Sequence, residues 1–576
     1  MSEGSRVRRN VPILSWLPTY DRSWITTDAI AGLTVWGLVV PESMAYAGVA
    51  GLPPEFGLYT LVCSLLLYAV LGSSRHVFVQ PTSASAALIA SSVTAVMVAA
   101  GVASDAANID QALYQEYVAA FVIVVGLVFL LARLARLGFV TQFLSKPVLD
   151  GFITGLAVYV LVGQLYKFFG VEKTSGNTVQ KFVGVVQQLP EANTATVVVG
   201  TAALILLILL PRWNRRIPAG LIVLFGSIVL SSVLELHDVY GVHVVGDLPQ
   251  GLPTPGLPDV PLSDWLLMIL PAIGMLLVAF SQSLAVAHEY SDKHDYDIDS
   301  NTELGAYSAI NIASGLFGGQ IGGGSIAPSA VNDGAGGRSL VAELVTWVAV
   351  VLTLLFLTPL FESLPETVLA ALILHALWHI VASRKLRYVR LISRTEFVLG
   401  VLTFAGVILI DVLPGMLIGL VCTLIVVSYR SSLAHVSRLG QVQGKVGAYS
   451  DVTRHPEAVP VPGLLILRLD APVSYANALT VRDRVMGLVE ESGPSLKVML
   501  VDASSQSSLD ITSSEMLGGL VRRLRARGID VWFAELHAPV QEFAAKTGLL
   551  EQIGEEKVFV TVDAAVNQLA DGRPAT

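Results

Sequence analysis

Glu42 lies inside a long apolar run, residues 28–50 (DAIAGLTVWGLVVPESMAYAGVA), directly after Pro41. About 20 helical residues cross a bilayer's hydrocarbon core, so this run is long enough to span. A proline at mid-run removes a helix hydrogen bond and frees backbone groups. A helix broken near 41–42 is therefore expected. A carboxylate at that depth is costly unless it faces protein or a wet cavity. There it could take up a proton together with a substrate. It could instead be structural, bonded to a hydroxyl such as that of Ser43 or Tyr46.

Two further stretches have the chemistry of anion binding. Pro81, Thr82, Ser83 and Ala84 (PTSA) read as the start of one short helix at mid-membrane. Gly324, Ser325, Ile326 and Ala327 (GSIA) read as the start of another. A helix N-terminus presents unpaired N–H groups and about half a positive charge. Two of them aimed at one cavity would hold an anion without a lysine or arginine. The small residues around them equally suit close helix packing. Ser281 and Gln282 (VAFSQSLAVA) occupy the place in the second half that Pro41-Glu42 hold in the first. Gln282 could line the site or be a satisfied buried amide.

The elements that must position these residues are membrane helices. The chain has 576 residues, 53% of them hydrophobic and 14% charged, against about 25% charged in soluble domains. The deficit falls in residues 28–432, where fourteen apolar segments can be counted. Lys and Arg cluster in alternate loops (Arg133, Arg136 and Lys146; Arg212, Arg215 and Arg216; Arg384 to Arg394), whereas 234–264 has acidic residues and no Lys or Arg. Basic loops face the cytoplasm, so both termini are expected there. The long loop 234–264 divides the fourteen segments into seven and seven. Odd-numbered repeats joined end to end have inverted topology, a frequent plan for secondary transporters, with the site at the repeat interface. After about 432 the chain reads as a soluble α/β domain. LLILRL (464–469), KVMLVDAS (497–504) and IDVWFAEL (529–536) are strands alternating with helical patterns near 476–491, 513–527 and 538–547, which implies a mainly parallel sheet.

Several other chemistries find no support. Cys63 and Cys422 form no disulfide framework or metal spacing. Asp295, Asp297 and Asp299 alternate, but a calcium loop from Asp295 needs Gly at its sixth position and Glu at its twelfth. Ser300 and Ala306 stand there, so no metal is expected. GGQIGGG (318–324) has no Lys-Ser/Thr after it and is no phosphate loop. The GxxxG pairs Gly151/Gly155 and Gly415/Gly419 fit close helix packing. No removable signal peptide is expected at the N-terminus, no nucleic acid as partner, no cofactor and no enzyme activity.

Taken together, the motifs resemble the SulP family of anion transporters, whose animal branch includes prestin and pendrin. AGLTVWGLVVPESMAYAGVAGLPPEFGLY (31–59) is similar to the family's first-span pattern. YDIDSNTELGAYSAINIASGLFGG (296–319) and GGGSIAPSAVNDGAGGRS (322–339) follow in the family's order. The tail resembles a STAS domain. The resemblance implies an all-α membrane domain of fourteen segments as a 7+7 inverted repeat, split into core and gate subdomains, plus a small α/β STAS domain. It implies a substrate site of Glu42, Tyr46, Gln80 to Ala84, Ser281, Gln282 and Gly324 to Ala327. It also implies homodimers and an elevator-like motion of core against gate.

Departures from the family pattern qualify this. Many relatives have Gln at Glu42 and Glu at Gln282, which weakens a sodium-coupled reading and moves the coupling to Glu42 and a proton. Pro328 stands where relatives often have Arg. In the tail, SSLDITSSEML (507–517) places Thr512 where bacterial anti-sigma antagonists carry a phosphorylated serine, so Thr512 is the candidate regulatory residue. Helix capping by Asp510 and Thr512, with Glu515 behind them, explains the same residues. The expected organisation is a cytoplasmic segment 1–27, a transport domain 28–432, a linker 433–459 and a STAS domain 460–570, in the cell membrane and in contact with its lipid. The expected function is secondary active, proton-coupled symport of a small anion of the sulfate, bicarbonate or dicarboxylate class. The alternatives are an uncoupled exchanger or channel, or a membrane scaffold working through partners of the STAS domain.

Overall fold

Runs of small and branched apolar residues, punctuated by glycine, proline and capping side chains, fold in the computed structural model as two units. One extends to Thr423 and the other starts at Leu424. The structure describes residues 11–102, 110–138, 145–174, 176–213, 219–381, 385–433, 435–445 and 447–570. Residues 1–10 of the N-terminal segment, and Arg215, Arg216 and Arg384 of the basic loops, lie outside the described residues.

The fourteen segments are helices, of which the last runs past the end of the first unit. In the first half they are α1 (Ile25–Val49), α2 (Glu55–Leu71), α3 (Ser83–Ala99), α4 (Gln111–Leu134), α5 (Lys146–Phe169), α6 (Thr194–Trp213) and α7 (Ala219–Leu234). In the second they are α8 (Leu262–His294), α9 (Ser300–Leu316), α10 (Ile326–Gly334), α11 (Val341–Leu352), α12 (Glu366–Val381), α13 (Arg394–Leu409) and α14 (Val412–Ser432). Among the described residues, seven helical stretches, containing α1, α4, α5, α6, α8, α11 and α14, are long and apolar enough to cross a membrane by themselves. Helices α1–α4 pack with α8–α11, and α5–α7 pack with α12 and α13.

The expected break in α1 is not observed. The helix runs through Pro41 to Val49. Pro41 costs the Gly37 carbonyl its usual donor, and packing on both sides retains the helical path. A short antiparallel pair that the sequence did not suggest sits at the centre instead. Strands β1 (Phe78–Pro81) and β2 (Gly322–Ser325) pair Phe78 with Ser325 and Pro81 with Gly322. The third segment of each half is therefore a strand followed by a helix.

Glycines allow the helices to approach closely. A Cβ on Gly151 would meet the Gly400 carbonyl oxygen of α13 at 2.1 Å. One on Gly415 would meet the Val407 backbone nitrogen at 2.3 Å, and Gly419 faces Thr403. Packing thus accounts for both GxxxG pairs. The alternating aspartates have structural places as well. Asp299 caps α9 through the Asn301 and Thr302 N–H groups, and Asp295 ends α8 in a left-handed conformation.

The second unit is a seven-stranded sheet. Strands β6 (Leu464–Leu469), β7 (Val498–Asp502), β8 (Asp530–Ala534) and β9 (Val558–Phe559) are parallel. Strand β3 (Val436–Val442) pairs antiparallel with β6, and β4 (Tyr449–Asp451) and β5 (Ala458–Val459) pair with β3. Side chains alternate across the sheet. Leu465, Leu467, Met499, Val501, Val531 and Phe533 face α15 (Ala478–Glu491) and α16 (Ile511–Arg525). Leu464, Ile466, Val498, Leu500 and Trp532 form the other core with Val562, Ala565 and Val566. Burial on both faces explains why these strands read as continuous apolar runs. Strand β3 lies in 433–459, a stretch read as linker. Its apolar residues Val436, Leu439 and Val442 fall at every third position, and Val436 and Leu439 belong to the two cores.

Candidate functional site

The antiparallel pairing of β1 and β2 sets the starts of α3 and α10 at opposite ends of one short ribbon, with α1 packed against both helices and α8 against α3 and β2. Local chemistry explains each start. Thr82 is the N-cap of α3: its hydroxyl accepts from the Ser85 N–H at 3.2 Å, and the Ser85 hydroxyl accepts from the Thr82 N–H at 3.0 Å. The next two amides, of Ser83 and Ala84, have no intrahelical partner, as in any first turn. Ser325 is the N-cap of α10, in extended backbone and without a side-chain cap. The amides of Ile326 and Ala327 are likewise left over. Pro328 follows at the third position, where a missing N–H costs the helix nothing. Ile326 and Ala327 are exposed, while Thr82 and Ser83 are half-buried. The four first-turn amides at these two helix starts are unpaired donors of the kind that can hold an anion without a formal charge.

Gln80 connects the parts. Its side-chain nitrogen donates to the Glu42 carboxylate at 2.8 Å and to the Ser325 hydroxyl at 3.2 Å. One amide therefore bridges α1, β1 and the start of α10. Its carbonyl oxygen is buried without a protein partner, as are the hydroxyls of Ser43 and Ser281. Glu42 is half-buried, and Tyr46 follows one turn later on the same face of α1. Gln282 is half-buried between Ser281 and Ser283.

The structure brings Glu42, Gln80 and Ser325 into direct hydrogen bonding. It sets Thr82, Ser83, Ala84, Ile326 and Ala327 at the two helix starts. Gly324 belongs to β2, and its N–H donates to the Ser283 hydroxyl at 2.8 Å. Ser283 was missed by sequence reasoning. It anchors α8 to β2, and the S-Q-S spacing around Gln282 was its only signal. Two buried carboxylates behind the site were missed as well. Glu303 accepts from the Tyr68 hydroxyl at 3.0 Å and from the Ser73 N–H at 2.7 Å. Glu343 accepts from the Val79 N–H at 3.3 Å, and its other oxygen is buried without a partner. Both brace the loop and strand that present Gln80.

In the second unit, Asp510 alone caps α16, accepting from the Ser513 N–H at 2.8 Å and from the Tyr475 N–H at 2.7 Å. Thr512 is the second helical residue and exposed, so it is not the cap. Partial burial opposes ionisation of Asp510. The hydrogen bonds from Ser513 and Tyr475 outweigh it and hold the carboxyl below its ordinary value.

Two strand–helix segments paired inside a two-group helical bundle, with a carboxylate beside them, define a polytopic membrane transporter with an α/β tail. The chain belongs to the sulfate permease family, whose model matches residues 25–403, and a STAS domain matches 455–565. That family consists of anion transporters, not enzymes. A probable sulfate transporter of Mycobacterium tuberculosis is 34% identical over 547 residues, covering 95% of this chain and 96% of the relative. The probable sulfate transporter 3.4 of Arabidopsis thaliana is 30% identical over 98% of this chain and 88% of its own. The murine solute carrier 26 family member A9, an anion transporter solved in an inward-facing state, superposes with a TM-score of 0.91 at 25% identity, covering 99% of this chain and 96% of that one.

Proposed function

We propose that this protein is a proton-coupled symporter of a small inorganic or carboxylate anion. The observation that carries the reading is the Glu42–Gln80–Ser325 bridge between a carboxylate and the start of α10. An ionised Glu42 repels an incoming anion and keeps the Gln80 amide for itself. A protonated Glu42 loses that repulsion, and the Gln80 N–H groups become available to the anion. Proton and anion then enter together and partly cancel in a medium where a lone charge is costly. Tyr46, Ser281 and Gln282 line the remaining sides, and Gly324 fixes the start of α10.

Sulfate, bicarbonate and small dicarboxylates fit this chemistry. The relatives named as sulfate transporters favour sulfate as the first anion to try. The two helix groups suggest an elevator-like motion, with α1–α4 and α8–α11 moving against the other group. We infer both termini in the cytoplasm from the basic loops, a homodimer in the cell membrane, and a cytoplasmic partner of the STAS domain. Phosphorylation of the exposed Thr512, at the positive end of α16, would be electrostatically favourable and could regulate that contact.

The experiment is anion accumulation in proteoliposomes under an imposed pH gradient, acid on the uptake side. Uptake above the equilibrium level supports symport. Equilibration without accumulation supports an uncoupled exchanger or channel instead.

A further inference from the structure

A second cavity lies where α1 and α5 end, the outer side in the orientation proposed above. Its volume is ≈ 70 Å³, against roughly 10–15 Å³ in the same measure for one water. There is thus room for one small polyatomic anion. Gly48 of α1 and Ala90 of α3 line one side, and Tyr159 and Gln164 of α5 line the other. The cavity is therefore bounded by both helix groups. Gly48 is two residues beyond Tyr46, and Ala90 is seven beyond Ser83, about 10 Å along α3 at 1.5 Å per residue. The cavity lies on the line from the site to that end of the bundle.

Lys173 and Lys181 are the charged residues of the lining, and among the described residues no carboxylate belongs to it. The Lys181 ammonium stands 4.7 Å from the Tyr159 ring centroid and donates to the Tyr159 hydroxyl at 3.4 Å. The third lysine nearby, Lys167, is paired with Glu366 at 3.3 Å. Burial lowers the Lys181 pKa from its ordinary value, Asp411 opposes this, and Lys173 adds to it. Two like charges held together and partly desolvated gain from an anion between them. The inner site offers amides, hydroxyls and a carboxylate, so these lysines are the cations that the route itself supplies.

We propose that Lys173 and Lys181, with Tyr159 and Gln164, form an outer subsite that captures a small anion before it reaches the half-helix starts. Clefts lined by one sign of charge raise local counter-ion concentration and on-rates by about 10- to 10³-fold. The proposal does not depend on proton coupling. Without the subsite, Lys181 is a cation whose ammonium stands over the Tyr159 ring and feels the charge of Asp411.

The test uses the purified full-length chain with Thr174→Cys, a cavity-lining position that leaves both lysines in place. Val185→Cys, on the same lining, serves as the second reporter. The chain without either cysteine gives the background from Cys63 and Cys422. An anionic methanethiosulfonate (sulfonatoethyl) should react at least tenfold faster than a cationic one (trimethylammonioethyl). Lys173→Gln with Lys181→Gln should bring that ratio below about threefold. Among chloride, bicarbonate and sulfate at equal ionic strength, at least one should slow the anionic reagent threefold more than the bulky anion gluconate does. A ratio near one, a ratio unmoved by removing both lysines, or equal slowing by all four anions overturns the subsite.

Discussion

The Gln80 side-chain nitrogen donates to the Glu42 carboxylate at 2.8 Å, across 38 residues of sequence. Strand β1 delivers Gln80 to this place, and β2 fixes β1. A change in the charge of Glu42 is therefore felt directly at the start of α10, through the shared bond to Ser325.

Gln80→Ala removes the bridge. A hydrogen bond to a charged group contributes about 1.5–3 kcal/mol, which corresponds to roughly 10- to 100-fold in a rate or affinity. Anion uptake by proteoliposomes should fall by that factor, with the melting temperature of the purified variant within a few degrees of the wild type. Wild-type uptake would show that the bridge is incidental.

The approach of α2 to α1 depends on Gly57. A Cβ there would meet the Ser43 carbonyl oxygen at 2.0 Å, one residue from Glu42. Backbone cannot yield as a flexible side chain would, so Gly57→Ala should cost the upper end of the ~1–3 kcal/mol of overpacking. A lowered thermal midpoint in detergent, together with lost transport, is the expected result.

In the STAS unit, Asp510→Ala should weaken the start of α16 by about 1 kcal/mol, measured by hydrogen exchange of its amides in the full chain. The folded carboxyl lies below its ordinary value. Its contribution is thus complete above the unfolded pKa of about 3.9 and is lost as pH falls through the lower folded value. The difference between wild type and variant should stay constant from about pH 7 to pH 5 and shrink only in stronger acid.

These residues also show what the sequence made legible. The span containing Glu42, the two helix starts and the strand–helix alternation of the tail follow from apolar run length and period. The uninterrupted path of α1 through Pro41 does not, because neighbouring helices decide whether a proline breaks or merely weakens a helix. Strands β1 and β2 are four residues each, and GGGS has no strand propensity. They form because each pairs with the other half of the chain. Ser283, Glu303 and Glu343 act through partners distant in sequence, so spacing gave no signal for the two carboxylates and only the S-Q-S pattern for Ser283. Strand β3 was hidden because its apolar residues fall every third position (VSRLGQV) rather than alternating or running continuously.

Proton coupling through Glu42 is the central claim. Its most direct test is the pH dependence of anion uptake by Glu42→Gln in proteoliposomes, beside the wild type. The account predicts acid-stimulated, accumulating uptake for the wild type and, for Glu42→Gln, the loss of both stimulation and accumulation. Undiminished acid stimulation in Glu42→Gln would contradict it.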